Sequence, residues 1–415
     1  MQKRDANEYV DVIVIGGGAS GLFAAGRAAE RGKKVLVLEK NASCGEKLLL
    51  TGGGRCNITN DCDTRTFLAH LGSGTEALFS AFAQFDVKDT FTFFEKRGLP
   101  LVVEARNRVF PKSQRAQDVL SVLEKYVRDN GGTIRTKAKV KKVEADESGV
   151  VVETQSARIA ADSLIIATGG LSHPETGSTG DGFRFVESLG HSVLEPSADL
   201  VPIEVADEWV KRLSGTSLSF MKMTVFLNGK RQFFKKGKVL FTHFGLSGPL
   251  ILNSARAVGE LLKQGSIMIS IDAYPDTDIA ELDEKILKVF EKSKNKMIKN
   301  VADDIVPHGM ADIFSLLFPA IPPEKKVHSI SKEERQTIAR TLKALPVQVT
   351  GLMGMDRAIV SDGGIPLEEI DTKYMRSRIN PRVYVTGDML HVNRKSGGYS
   401  LQIAWTSGYV AGSAV

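Results

Sequence analysis

Short apolar runs alternate with small-residue and polar stretches in the N-terminal part of the chain, a pattern typical of buried strands covered by helices. Tyr9–Ile15 and Lys34–Leu38 are short, β-branched apolar runs, as expected of buried parallel strands. Between them, Ala19–Arg31 is a helical segment rich in alanine and glycine, which can approach a sheet closely. Further strand-like runs lie at 133–143, 149–154 and 163–167. The order strand, helix, strand predicts a doubly wound α/β domain.

The pattern changes in the second half of the chain. Residues 199–272 contain short alternating stretches separated by turn signals such as Asn228-Gly229, and these predict a small β domain. Ile279–Asn300 places apolar residues at helical spacing on a lysine-rich background, which predicts an amphipathic helix. The sequence Ser331–Glu334 forms a capping box that opens one more helix, ending near Lys343.

Length, charge and cysteine content narrow the picture. At 415 residues the chain is too long for one compact core, so two or three domains are expected. The net charge of +6 permits an anionic partner but does not require one. Three cysteines are too few for a disulfide framework, which favours the reducing cytoplasm. No stretch approaches the ~18–20 apolar residues that a membrane span needs, so no membrane partner is expected.

A glycine motif follows the first strand and opens the first helix. Gly16, Gly18 and Gly21 have the spacing that lets backbone N–H groups approach a dinucleotide pyrophosphate at a helix N-terminus. Glu39 ends the second strand, where a carboxylate accepts hydrogen bonds from a ribose. The motif occurs once, so a nicotinamide nucleotide would bind transiently elsewhere, or the reductant is something else.

Two fragments near the end of the chain extend this motif. Val383–Asp388 and Gly397–Gln402 supply a second strand end and a second glycine-led helix start. FAD needs such contacts and NAD does not, because a flavin site must also reach the ribityl chain and the flavin ring. The combination predicts a flavoenzyme.

The segment from Thr51 to Asn57 contains three consecutive glycines, which leave its backbone open to a close neighbour. It is either a loop around the ribityl chain and flavin, with Thr51, Arg55 and Asn57 as polar contacts, or a flexible surface loop. Cys56 is either a redox or acid/base thiol or a small buried apolar residue. The cysteine spacings match no common zinc pattern, so no metal site is predicted.

Four strings carry a resemblance to a known family: TGGGRCN at 51–57, ATGG at 167–170, FTHFGLSGP at 241–249, and the terminal TGD with GGYSLQ. With them the chain resembles, over essentially its whole length, the BaiN/YhiN-type FAD-binding oxidoreductases, also described as NAD(FAD)-utilising dehydrogenases or aminoacetone-oxidase-like flavoproteins. The resemblance implies a Rossmann-like FAD-binding domain with an inserted β-barrel-like domain and a small helical domain.

The expected boundaries divide the chain into five segments. The FAD-binding domain comprises 1–192 and 350–415, the β-rich domain comprises 193–274 and 326–349, and the helical insertion is 275–325.

The resemblance also implies a cofactor site, in which Val140 offers its backbone to adenine, Asp388 bonds the ribityl chain and the last helix faces the flavin. The residues expected to contact FAD are Gly16, Gly18, Ala19, Ser20, Gly21, Glu39, Lys40, Lys47, Thr51, Gly53, Gly54, Arg55, Cys56, Asn57, Val140, Thr168, Gly169, Gly387, Asp388, Gly397, Gly398, Tyr399, Ser400, Leu401 and Gln402.

His243, Arg55 and Cys56 are the catalytic candidates. His243 lies in a glycine-rich stretch, where it either exchanges a proton with substrate or hydrogen-bonds locally and shapes the loop. Basic clusters are either solvated faces or contacts to ribosomal RNA, and they lie at 106–115, at 230–238 with Phe233 and Phe234 interleaved, and along 285–299.

These features predict a cytoplasmic FAD-dependent oxidoreductase in which NAD(P)H drives reduction of a C=C bond, in a steroid-like enone or in uracil of ribosomal RNA. Two alternatives remain open: an oxygen-dependent oxidase of small amines such as aminoacetone, and an RNA- or ribosome-binding protein with structural FAD. The sequence does not determine the oligomeric state.

Overall fold

The computed structural model describes residues 6–71, 75–354, 357–358 and 360–415. The chain divides into two compact units. The first consists of Met1–Ala198 and Met355–Val415, and the second of Asp199–Gly354. The finer division into five segments stays a prediction.

The α-helices are α1 Ala19–Glu30, α2 Glu46–Leu50, α3 Thr64–Ala69, α4 Phe79–Phe82, α5 Val87–Lys96, α6 Ala116–Asp129, α7 Asp181–Ser188, α8 Glu208–Arg212, α9 Pro249–Leu252, α10 Ala255–Leu262, α11 Ile279–Lys292, α12 Phe314–Leu317, α13 Lys332–Lys343 and α14 Tyr399–Ala414. The strands are β1 Glu8–Ile15, β2 Val35–Leu38, β3 Thr59–Asn60, β4 Leu101–Glu104, β5 Arg108–Pro111, β6 Thr133–Arg135, β7 Val140–Asp146, β8 Gly149–Thr154, β9 Arg158–Ile166, β10 Leu194–Asp199, β11 Ile203–Val205, β12 Ser217–Leu227, β13 Lys230–Thr242, β14 Gly245–Ser247, β15 Ile267–Asp272, β16 Leu345–Leu352, β17 Val360–Gly364, β18 Ile370–Asp371, β19 Arg376–Ser377 and β20 Val383–Val385.

The first unit is built on a sheet whose centre is parallel. Its strands lie in the order β18-β19-β20-β9-β1-β2-β6, and β8 pairs with β9 and β7. β1 is parallel to both β2 and β9, with Val12 opposite Val35 and Ser163. The carboxyl ends of β1, β2, β9 and β20 therefore lie along one edge, which is where open α/β sheets bind ligands.

The second unit is a closed antiparallel barrel with helices attached. Its strands run in the order β11-β14-β13-β12-β15-β16, and β11 closes the barrel by pairing with β16. Alternate residues face inward, so Val225, Ile269 and Val347 are fully buried in its core. The prediction of a Rossmann-like domain combined with a β-barrel-like domain and helices is confirmed.

Two elements differ from the sequence-based prediction. The expected strand at 133–143 is two strands, because the chain between them contains Lys137 in a left-handed conformation (φ 53°) that interrupts extended backbone. The expected helix Ile279–Asn300 ends at Lys292. Its buried stripe of Leu282, Ile286 and Phe290 finds no apolar continuation in the Ser-Lys-Asn-Lys segment that follows.

Candidate functional site

The end of β1 and the start of α1 form a turn in which backbone lies on backbone. Gly16 has φ +107°, and a Cβ there would lie 2.4 Å from the Ala167 carbonyl oxygen. A Cβ on Gly21 would lie only 1.9 Å from the Gly16 carbonyl oxygen. A Cβ on Gly18, in contrast, would meet nothing within 4 Å, and no side chain caps the start of α1. The first N–H groups of α1 thus face open space, which a pyrophosphate-binding site requires.

The carboxylate of Glu39 is fixed beside this turn. It is buried, with Oε2 accepting from the Gly17 N–H at 2.7 Å and Oε1 from the Asn41 N–H at 2.8 Å. Each carboxylate oxygen can accept a second hydrogen bond, so the group retains capacity for ribose hydroxyls.

A pocket opens next to Glu39. Five of the expected contact residues line it: Gly16, Glu39, Lys40, Val140 and Thr168.

Further lining residues were missed by sequence reasoning, among them Lys139, Asp181 and Phe185. Asp181 pairs with Lys40 at 2.9 Å. Burial by itself raises the pKa of Asp181, but hydrogen bonds from Lys40 and Thr179 and the Lys40 charge bring it down to about 2. The spacing of Lys40 and Asp181 along the chain offers no signal that they pair.

The end of β20 lies close to the turn between β1 and α1. β20 runs parallel to β9, and the hydroxyl of Thr386 donates to Ser20 Oγ at 3.2 Å. Gly387 has φ +65°, and a Cβ there would lie 2.7 Å from Ser20 Oγ. Its N–H donates to Ser407 Oγ at 3.0 Å. The structure thus brings the two terminal fragments together.

Next to Gly387 lies a cluster of charged side chains. Arg394 is buried and donates to Asp388 Oδ1 at 2.7 Å and to the carbonyl of Leu390 at 3.1 Å. Lys47 donates to Ser172 Oγ at 3.0 Å; burial lowers the pKa of Lys47, and the Asp388 carboxylate opposes that shift. Arg394 was not among the expected contacts, although its position six residues after the expected ribityl ligand was a usable signal.

Helix α14 begins at the other side of the site. Gly397 and Gly398 both have positive φ, and a Cβ on Gly398 would lie 2.4 Å from the backbone of Thr59. No side chain caps the helix and its first turn contains no acidic residue. The partial positive charge of this N-terminus, with Ser400 and Leu401 half-buried in the first turn, is therefore not neutralised by the helix itself.

The side chains of Tyr399 and Gln402 contact other segments of the first unit. The Tyr399 ring packs on Phe67 at 4.8 Å between centroids. Gln402 is fully buried; its Oε1 accepts from the Thr59 and Thr90 hydroxyls, and its Nε2 donates to Asp86 and Thr406. These contacts hold α14 in place, and the polar atoms of the Gln402 side chain are all engaged within the protein.

The loop 51–57 is a turn of left-handed glycines. Cβ atoms on Gly53 and Gly54 would meet nothing within 4 Å, whereas Thr51 donates its hydroxyl to the Leu48 carbonyl. Asn57 has a buried Oδ1 with no hydrogen-bond partner among the described residues. Gly169, on the neighbouring loop after β9, approaches Ser178 and Lys47.

Arg55 and Cys56 point to structural roles. The Arg55 guanidinium donates to Glu104 at 3.0 Å and Gln114 at 2.8 Å and lies over the Phe110 ring. Cys56 is fully buried, and burial raises the pKa of its thiol to about 12. A thiol that stays protonated at neutral pH is a poor nucleophile or base, which favours the buried apolar alternative.

These features fit FAD. Open space over Gly18 and an uncapped helix suit the pyrophosphate, and the pocket beside Glu39 suits the adenosine end. The orphaned Asn57 Oδ1 and the second uncapped helix suit a flavin, which carries hydrogen-bond donors and takes up negative charge when reduced.

His243 lies in the second unit, in the turn between β13 and β14. It is exposed, and its ring contacts Phe244 edge-on at 4.9 Å between centroids. The turn is closed by Thr242 and Gly245, and no hydrogen bond to the His243 ring is seen among the described residues. The alternative that His243 shapes its loop by hydrogen bonding therefore gains no support.

Within the described ranges, no helix has both the length and the apolar composition to cross a bilayer. The same residues contain no group of three or more histidine, cysteine, aspartate or glutamate side chains placed to hold a metal ion.

Comparison with known proteins agrees with this geometry. Residues 10–414 match the HI0933-like protein Rossmann domain. The ribosomal RNA dihydrouridine synthase of Escherichia coli is 28% identical over 402 residues, covering 97% of each chain. The 3-dehydro-bile acid delta(4,6)-reductase of Clostridium scindens is 28% identical over 404 residues, covering 97% of this chain and 98% of the other.

A solved structure shares the fold: 3-ketosteroid-delta4-(5alpha)-dehydrogenase from Rhodococcus jostii RHA1, with a TM-score of 0.54 and 15% identity over 100% of this chain and 98% of the other. The predicted family and cofactor class are confirmed. The chain belongs to the HI0933-like protein family, and it is an FAD-dependent oxidoreductase with a Rossmann domain.

Proposed function

We propose that this oxidoreductase reduces a carbon–carbon double bond conjugated to a carbonyl group. The observation that carries the proposal is what its two relatives have in common. Dihydrouridine differs from uridine by two hydrogens added across a ring C=C bond next to a carbonyl, and a delta(4,6)-reductase also takes its name from C=C bonds. Both relatives align with this chain over nearly their whole length. We therefore carry over to this chain the type of reaction that they share, and not the substrate of either one.

The residues of this chain would bind the cofactor and hold its charge. FAD, when bound, supplies hydride transfer. The first turn of α1 at Gly18 would hold the pyrophosphate, Glu39 the adenosine ribose and Asp388 the ribityl chain. The uncapped N-terminus of α14 stabilises negative charge near the flavin. Arg394 keeps the Asp388 carboxylate oriented through its hydrogen bond at 2.7 Å.

The reductant in this proposal is NAD(P)H, bound transiently. The chain has one dinucleotide motif, and the second unit is a barrel with helices and carries no second copy of that motif. The reaction is placed in the cytoplasm, in keeping with cysteines 44, 56 and 62, all of which are free.

The test is an anaerobic absorption spectrum of the purified holoenzyme. We expect NADH or NADPH to bleach the flavin, and either ribosomal RNA or a small soluble enone to restore its colour with two hydrogens added to the acceptor. Flavin that ignores nicotinamides but forms hydrogen peroxide with aminoacetone would replace the proposal with an amine oxidase. Flavin that responds to none of these would indicate a structural cofactor in an RNA-binding protein.

We assign His243 as the proton donor to the reduced carbon. A histidine is the side chain whose ordinary pKa suits proton transfer near neutral pH, and the His243 ring is exposed. His243→Ala should slow acceptor reduction by about 100-fold or more, while flavin content and bleaching by NAD(P)H stay unchanged. His308→Ala, an exposed histidine of the same unit, is the control. Equal turnover of the two variants would remove His243 from the mechanism.

A further inference from the structure

The hairpin formed by β12 and β13, residues 217–242, carries an unusual concentration of charge. It contains six basic residues and no acidic one, and it therefore has as much net positive charge as the whole chain. The six are Lys222, Lys230, Arg231, Lys235, Lys236 and Lys238. We call these two strands and their turn the basic hairpin.

Two lysines of the basic hairpin face each other across the strands. Lys222 lies directly opposite Lys236, on the side of the hairpin that points away from the barrel core. Like charges in this position destabilise a sheet by several tenths of a kcal/mol, roughly as much as opposite charges stabilise it. Lys236 has an ion pair with Asp276 at 2.7 Å, but both side chains are largely exposed and such a pair is weak. An anionic partner would relieve this repulsion.

Most of the remaining charge has no ion-pair partner within the described ranges, although Asp272 of β15 lies opposite Lys222 and pairs with Lys343 at 2.7 Å. Among the described residues, no carboxylate is within ion-pair distance of Lys222, Lys230, Arg231 or Lys238. Helix α11, the other lysine-rich surface of this unit, differs in this respect. There Lys285 pairs with Glu281 at 2.9 Å and Lys288 with Glu284 at 2.7 Å.

Exposed aromatic rings lie between these cations. Phe234 is 56% exposed, next to Lys222, whose Nζ lies 5.1 Å from the ring centroid. Phe220 is 66% exposed and has φ +62°, which is unfavourable for a bulky residue. It lies where the register shifts between Leu218 and Met221, so that an extra residue is accommodated beside Lys238. The strained backbone turns a large apolar side chain out of the sheet instead of into the core.

We infer that the basic hairpin is a docking surface for single-stranded or loop RNA. Lysines on an extended sheet face can contact successive phosphates, and Phe234 offers an exposed ring on which an unpaired base stacks. An acidic protein partner would need the cations but not the exposed rings. The inference rests on the proposed function, because it chooses uracil in RNA over a steroid-like enone as the natural acceptor.

The test measures binding of the holoenzyme to a fluorescein-labelled, uridine-rich single-stranded RNA by fluorescence anisotropy over a series of salt concentrations. Lys222→Ala combined with Lys238→Ala should weaken binding about 10-fold or more at moderate salt. It should also lower the slope of log K against log salt by about 1.4, because each phosphate contact in a single strand contributes about 0.7. Phe234→Ala should weaken binding by about 5-fold or more with little change in that slope.

The matched control is Lys285→Ala combined with Lys288→Ala, which removes the same charge from α11 and should leave RNA affinity unchanged. Equal losses in the two double variants, or no loss in the hairpin variant, would overturn the inference. Loss of binding to phosphatidylserine vesicles without loss of RNA binding would overturn it in favour of a membrane surface.

Enone reduction measured in the same variants keeps the two proposals separate. If enone reduction persists and the hairpin substitutions do not change RNA affinity, only the inference of a docking surface is wrong. If the wild-type protein reduces no acceptor, the proposed function is wrong.

Discussion

Helices α1 and α14 start in the same way but are held in place by different means. Each begins at a glycine N-cap, Gly18 and Gly398, with no capping side chain and no acidic residue in its first turn. The two helices also pack on each other, since a Cβ on Gly412 would lie 2.4 Å from the Ala24 carbonyl oxygen.

α1 is positioned by close packing of small residues. Gly21 touches the turn that precedes the helix, and a Cβ on Gly26 would lie 2.2 Å from the Tyr126 ring. α14 is positioned by buried polar groups. Gln402 makes four hydrogen bonds, and the Trp405 indole donates to the Ile58 carbonyl at 2.9 Å.

The difference shows two ways of fixing the position of a helix N-terminus that binds a ligand. Packing without side chains places backbone against backbone and tolerates no added atom. A hydrogen-bond network specifies position through partners that are costly to leave unpaired. We therefore expect α1 to fail through added volume, and α14 to fail through lost partners as well as through volume added at Gly412.

The largest effect is expected for Gly21→Val. The added Cβ would lie 1.9 Å from a backbone oxygen, which has no room to move without displacing the end of β1. The variant should lose more than about 4 kcal/mol of stability and accumulate unfolded. Circular dichroism and thermal melting would check this. A variant that melts like wild type would show that the contact between α1 and the preceding turn can accommodate the added atoms.

Gly18→Leu should prevent FAD binding without changing the stability of the fold. Gly18 has φ −85° and ψ −170°, which any residue adopts, and its Cβ position is open. We expect near wild-type melting of the apoprotein but loss of FAD, since the side chain occupies the pyrophosphate-binding site. The ratio of flavin to protein absorbance after purification measures this. A variant that purifies fully yellow would contradict the assignment.

Gln402→Leu should loosen α14 without blocking the site. It leaves the buried Thr59 hydroxyl without its partner, whereas the Thr90 hydroxyl and the Asp86 carbonyl keep their hydrogen bond to each other, and we expect a cost of about 2 kcal/mol in urea unfolding. Ser400→Ala, in the first turn of the same helix, should change stability by less than about 0.5 kcal/mol. If both variants unfold alike, the hydrogen-bond network does not hold the helix.

Much of this arrangement was predictable from residues close together in sequence. The β1–α1 turn and the capping box at Ser331 are local, so their glycines and polar groups identify them directly. Contacts between distant segments were not predictable. Gln402 was assigned by position alone and Arg394 was not assigned, and only the structure shows which groups their side chains bind. Cys56 gave two interpretations because sequence does not report burial.

The sequence by itself determined the class of cofactor and the family, because phosphate binding at a helix start needs particular residues at fixed spacing. The tertiary structure decided which polar side chains remain available to that cofactor. Availability depends on partners that lie far apart along the chain, such as Thr59 for Gln402 and Glu104 for Arg55, and only folding brings these together.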